Sequence, residues 1–399
     1  MPPDRVSAPA IHSQDLARRR SRGARWTALV CLVLATGARV ATAGSIPYAP
    51  ALAGCYDAIL DARFDEADAA IAKACGPAPP ETCALMRANA LWWRIQMNPN
   101  DRSKDQAFET QVDRVIDRID QWTAREPKRA DAWFFLGAAY GLRVQFRALR
   151  NERLAAARDG KRIKVSLERA LSLDPTLEDA YFGIGLYHYY AGIAPAILKV
   201  LAWLLALPGG DRAQGLKEMW QARNRGELLR GEADYQLQLI DLWYEYKPDE
   251  ALTLLEGLRA AYPHNPLFFQ SIADLQHVYR RDDAASLETW RVLYALARDG
   301  RVAFPEMSEV RARLGMAAEL AALGQTDAAI AELRAVLAAK PTAPYGADAL
   351  AWLRLGAAYD RKGLHERARD AYRAAIAAAP PDDPDNVRAQ ARDAIRKTP

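Results

Sequence analysis

A spaced set of large and small residues, repeated at a period near 34, constrains this chain more than any other feature. In residues 349–380, Trp352, Leu355, Gly356 and Tyr359 are followed by Ala368, Tyr372 and Ala375, and Pro380 closes the set. Spacings of three and four place the first group on one face of a helix and the second on one face of another. Gly356, Ala368 and Ala375 are small enough to let the two helices approach closely, while Trp352, Tyr359 and Tyr372 fill the space beside them. Gly363 falls in the turn between the helices, and Pro380 stops the second one. Such a hairpin cannot bury its apolar faces alone, so the period predicts a stack.

The same frame drifts upstream. Residues 310–341 carry Ala317, Leu320, Gly324, Ala329, Leu333 and Pro341, residues 232–263 carry Tyr235, Ala251, Leu255 and Pro263, and 266–300 carry Phe269, Ala285 and Trp290. Phe64–Ala67 with Ile71 and Ala74 reads as the second helix of a first unit. Residues 82–127 read as a longer pair split by the Asn98–Asp101 loop and ended near Pro127. No apolar run alternates with a period of two, so the expected class is all-α without a sheet. The W-x2-L-G-x2-Y, A-x3-Y-x2-A and final P positions of 349–380 resemble the tetratricopeptide repeat (TPR) family. That resemblance implies a right-handed superhelix of about eight hairpins over residues 44–399, closed by a capping helix near 386–396.

Two central units within 130–230 are too long for this frame. The first opens with Trp133, Leu136, Gly137 and Tyr140 but reaches Ala170 and Pro175 about 14 residues late against a 34-residue unit. Its excess, around 142–164, is basic, and Arg143, Arg147 and Arg150 fall along one helical face. The second opens with Tyr181, Ile184 and Gly185 and resumes at Gly215, Met219 and Ala222, about 18 residues late. Its excess is the apolar stretch 191–208, in which Lys199 is the single charge. Pro195 and Pro208 bracket too few residues to span a bilayer, which takes about 20. Three burial sites suit this stretch: the inside of the superhelix, a second copy, or a membrane surface. The run 184–222, followed by Tyr235–Pro263, is similar to the eukaryotic TPR group of the outer mitochondrial membrane inclusion-clearance protein. That narrower similarity implies a shared structural module and work near membranes, and no catalytic motif.

Residues 1–43 read as a secretory signal peptide, with five arginines from Arg18 to Arg25, a short apolar run Trp26–Thr36 and an A-x-A site ending at Ala43. This segment carries a net +5 of the chain's +4, so the part that follows is close to −1. Basicity is therefore no argument for nucleic-acid binding. Export places Cys55, Cys75 and Cys83 in an oxidising compartment, where one pair can bridge in three ways. Cys75 and Cys83 flank the Gly76–Thr82 loop; the alternative is three buried thiols.

Signatures of catalysis, cofactor binding or metal ligation are missing from the sequence. His188, His264, His277 and His365 are scattered, and His188 among Tyr187, Tyr189 and Tyr190 reads as a packed histidine. Function is expected to reside in binding without catalysis. The candidate partner groove is the concave line of first helices, with Phe134, Phe182, Leu186, Tyr189, Tyr190 and Leu353. A candidate membrane contact combines Arg143, Arg147 and Arg150 with Lys199, Leu201, Trp203 and Leu204. The expected role is a scaffold for protein or peptide partners in the periplasm or cell envelope, with a peripheral lipid-associated module as the alternative.

Overall fold

Seventeen helices, and no strand, make up the described residues of the structure, a computed structural model that covers residue 46 and residues 48–193 and 209–398. They pair in chain order as α1 (Ala49–Leu60) with α2 (Phe64–Ala74), α3 (Pro80–Met97) with α4 (Asp105–Arg125), and α5 (Ala130–Leu149) with α6 (Arg153–Leu173). Next come α7 (Ala180–Ile193) with α8 (Arg212–Arg225), α9 (Arg230–Trp243) with α10 (Pro248–Ala261), and α11 (Pro266–Val278) with α12 (Asp283–Arg298). The last pairs are α13 (Pro305–Ala322) with α14 (Thr326–Ala339) and α15 (Ala347–Arg361) with α16 (His365–Ala378), after which α17 (Val387–Lys397) packs on α16 and α15. The class is all-α, built as eight stacked hairpins.

Helix boundaries follow local chemistry. Pro80, Pro248, Pro266 and Pro305 open α3, α10, α11 and α13, where a missing N–H costs nothing and φ is preset. Asp211, Asn265 and Asp282 cap α8, α11 and α12 by accepting from the N–H groups of Gln214, Leu267 and Ala285.

The basic excess of the third hairpin does not form a separate loop. It extends both helices, giving α5 20 residues and α6 21, against 14 for α16. In the fourth hairpin the frame closes on two glycines. A Cβ on Gly185 would lie 2.7 Å from the Gly215 carbonyl oxygen, and one on Gly215 would lie 2.5 Å from the Tyr189 nitrogen. Backbone meets backbone here, which is why α7 and α8 can pair although residues 194–208 intervene; of the apolar stretch 191–208, residues 191–193 end α7 and the rest lies outside the described residues.

The stack winds tightly enough for its start to return to its later hairpins. Asn265 Nδ2 donates to the Leu60 carbonyl at 2.6 Å, His264 N to Asp61 Oδ1 at 2.9 Å, and Tyr262 Oη to Asp57 Oδ1 at 3.0 Å. One hairpin later, Tyr345 N donates to Asn98 Oδ1 at 3.0 Å and Arg311 donates to the Met97 carbonyl. Trp93, fully buried on α3, meets Tyr235 of α9 and Phe268 of α11 with ring centroids 5.1 and 6.4 Å apart. Cys75 and Cys83 are joined as a disulfide across the α2–α3 loop, and Cys55 is a free thiol buried in α1.

Gly215→Ala is expected to destabilise the protein by about 1–3 kcal/mol, because the nearest atoms are backbone and cannot rotate away. Denaturant unfolding of the two proteins side by side measures it, with Gly257→Ala, where nothing lies within 4 Å, as a control expected to stabilise by about 0.5–1 kcal/mol.

Candidate functional site

The return of α3 against the later hairpins encloses space. A cavity of about 1330 Å³ is bounded by α3 on one side and by α5, α6, α7 and α9 on the other. Phe134, Phe182, Leu186 and Tyr190, four of the six expected groove residues, stand on its wall. Phe182, Leu186 and Tyr190 follow one another at intervals of four on α7, so a single helical face presents all three. Tyr189 faces elsewhere: it is buried, and its hydroxyl donates to Glu245 at 2.5 Å. Leu353 lies far along the chain on α15, packed against the C-terminal core, and does not join the other five.

The polar part of the wall is mostly satisfied within the protein. Asp179, 1% exposed, accepts from the N–H groups of Glu227, Leu228 and Leu229 at 2.7–3.0 Å and so holds the start of α9 in place. Gln236 donates to Gln145 at 3.1 Å and to Glu232 at 3.4 Å, and Gln96 donates to the Tyr235 hydroxyl at 3.5 Å. Burial pushes the Glu232 carboxyl up to about 7, against the opposing pull of its contacts with Gln236 and Gln145. Two donors on the wall, Asn89 Nδ2 and Trp92 Nε1, have no acceptor among the described residues.

The three arginines of the basic face are engaged inside the protein. Arg143 reaches both oxygens of buried Asp159 at 2.8 Å and Asp113 at 2.6 Å. Arg147 also donates to Asp159. Arg150 grips both oxygens of Asp105 at 2.6 and 2.7 Å and donates to the Pro99 carbonyl at 2.7 Å. These pairs tie α5 to α6 and to α4. Lys199, Leu201, Trp203 and Leu204 fall in the stretch outside the described residues. No described helix is long and apolar enough to cross a membrane.

Each described histidine has a carboxylate partner: His188 with Glu218 at 2.8 Å, His264 with Asp61 at 2.9 Å and His365 with Asp360 at 3.2 Å. His277 Nδ1 lies between Asp283 at 2.8 Å and Glu319 at 3.0 Å, the one described trio whose ligand atoms are close enough for a shared cation. As they stand, these are hydrogen-bond distances.

Comparison with known proteins fits this architecture. Residues 349–382 match the family described as tetratricopeptide repeat. The eighth hairpin is therefore a TPR, and the seven before it repeat its helix–turn–helix form with looser sequence. Among solved structures, the chain is similar to one of the APC/C hetero-tetramer Cut9–Hcn1 (TM-score 0.49, 14% identity, covering 86% of this chain and 54% of that one). The chain thus spans about half the length of that relative. It is also similar to yeast Tom70 (0.39, 12%, 89% of each chain) and to the TPR domain of P58(IPK) (0.21, 16%, 88% and 97%). No curated protein matches the sequence significantly.

Because the Glu232 carboxyl is held above its ordinary value, its neutral form suits the fold and its charged form does not. It costs no stability below about pH 4.5 and an increasing amount as pH rises towards 7. Glu232→Gln, which keeps the shape and removes the charge, is expected to stabilise the protein at pH 8 relative to its effect at pH 4.5 by on the order of 3 kcal/mol. Urea unfolding at the two pH values measures the difference; equal effects at both would show that the carboxyl is solvated.

Proposed function

We propose that the protein is an exported, non-catalytic TPR scaffold of the periplasm or cell envelope, and that it holds a protein partner on an aromatic rim beside the central cavity. The observation that carries this reading is the exposure of Trp243, Tyr244 and Tyr246, at 53%, 43% and 79%, next to half-exposed Tyr190. Rings of this size normally seek burial, and Trp and Tyr are the residues that most often anchor protein interfaces. The rim is also held in shape. Tyr190 and Tyr244 meet edge to face at 5.6 Å, and Glu245, its side chain turned inward and bonded to Tyr189 and Arg212, pins the turn from beneath. Tyr246 occupies the left-handed region at φ 54°, a conformation that costs a side-chain-bearing residue about 1 kcal/mol or more. The turn pays that cost and displays the ring to solvent.

Export is supported by the signal-like segment 1–43 and by the Cys75–Cys83 disulfide, a bond that persists in oxidising compartments. Docking on anionic lipid through Arg143, Arg147 and Arg150 has less support, since Asp159, Asp113 and Asp105 already engage those guanidiniums.

A photo-crosslinking residue placed at Tyr246 in the exported protein tests the reading in cells. The expected result is one discrete protein adduct in the periplasmic or envelope fraction. It should be lost on Trp243→Ala and absent when the probe stands at exposed Arg301, far along the chain. Adducts of equal yield at both probe positions, or protein retained in the cytoplasm, would refute it.

A further inference from the structure

The central cavity has three properties that a collapsed core has no need of. Its volume, about 1330 Å³, lies above the range of roughly 300–1,000 Å³ that drug-sized ligands occupy. Its wall is chiefly apolar, through Phe134, Phe182 and Leu186. And two buried donors on that wall have no acceptor among the described residues. Asn89 and Trp92, 6% and 2% exposed, lie one turn apart on α3, and neither Nδ2 nor Nε1 has an acceptor. A buried donor without a partner costs about 1–3 kcal/mol, which an acceptor on a ligand would recover. Arg153 stands beside exposed Leu154 in the first turn of α6, lining the cavity with no ion pair among the described residues.

This inventory selects the occupant. An extended polypeptide would bring an N–H and a C=O with every residue, and would need wall acceptors as well as donors. Gln145, Glu232 and Asp179 on the wall are already engaged, the first two by Gln236 and the third by backbone N–H groups. A fitting ligand has chains without polar atoms and a head made of acceptors, with negative charge at its outer end. We propose that the cavity binds an anionic two-chain phospholipid, with its acyl chains against Phe134, Phe182 and Leu186, an ester carbonyl at Asn89 and Trp92, and its phosphate at Arg153. Two chains accord with a volume above that of a single drug-sized ligand. Glu232, neutral below about pH 7, adds no opposing charge to the wall there. The lipid site lies behind the aromatic rim and shares Tyr190, Trp243 and Tyr244 with it.

The test uses the full exported chain purified without detergent. Chloroform–methanol extraction with mass spectrometry is expected to find one phospholipid per chain. Stripped protein at pH 6.5 should take up fluorescently labelled phosphatidylglycerol from phosphatidylglycerol vesicles. Leu186→Arg should abolish uptake, Arg153→Glu should weaken it at least ten-fold, and Arg301→Glu should leave it unchanged. Circular dichroism and melting identify any variant that fails to fold; should Leu186→Arg do so, the exposed Arg153→Glu carries the decision. No co-purified lipid together with no uptake overturns the proposal, as does equal uptake by all variants, which is surface adsorption. Uptake of oleate but not of phosphatidylglycerol overturns the two-chain assignment. Uptake only after residues 194–208 are replaced by a polar linker overturns it too, since the chain's own apolar segment would then be the occupant.

Discussion

Trp93 is the contact on which the rest of the structure turns. It sits on α3, in the second hairpin, yet its ring is buried between Tyr235 of the fifth hairpin and Phe268 of the sixth. Repeat stacks usually contact only their neighbours and leave the inner face open. Here the inner face is partly filled by the start of the same chain, through Leu60, Asp61 and Met97 as well as Trp93. The aromatic burial gives this return its energy, and the hydrogen bonds at the loops fix its register. What remains of the inner channel is the cavity, so the site exists because the winding is tight and incomplete.

The charges of the third hairpin serve the same end. Asp159 is almost wholly buried, and such a carboxylate is tolerated only where its oxygens are met. Arg143 meets both in a planar fork and Arg147 adds a further donor. With two cations around one anion, the cluster needs a second acid, and Asp113 of α4 supplies it. These bonds hold the extended parts of α5 and α6 to each other and to α4, and residues on the inner faces of α5 and α6 become cavity wall. A run of arginines that looks like a surface for lipid thus acts as a clamp between helices.

Much of this was legible in the sequence and some was not, for physical reasons. The hairpin of 349–380 is read easily because its determinants are local: small residues at fixed spacing, a glycine in the turn, a proline at the end. Gly185 and Gly215 announce the frame of the fourth hairpin for the same reason. Phe182, Leu186 and Tyr190 could be grouped because one helical face carries them. Leu353 holds a comparable position in its own repeat, but it lies four hairpins further along, against a different core. The pairing of Arg150 with Asp105 spans 45 residues, and no local pattern encodes it. The contribution of α3 escapes the repeat pattern, because it requires the chain to curl back. The available signal was Asn89, a single amide within the apolar run Ala88–Trp93.

Enlarging two adjacent repeats has a geometric consequence that neither would have alone. Longer α5 and α6 raise one wall of the channel, but a wall against a closely packed neighbour would only thicken the core. The fourth hairpin instead brings backbone against backbone at Gly185 and Gly215, between two helices of only 14 residues each. Ala191, Gly209 and Gly210, which flank that apolar stretch, stand on the cavity wall. Tyr190, Trp243 and Tyr244 stand there as well, so the rim and the cavity share residues. A ligand that entered past these rings would alter their packing, and a partner seated on them would alter access to the cavity. If both sites are occupied as argued, their affinities must therefore be coupled, and by equal factors in each direction.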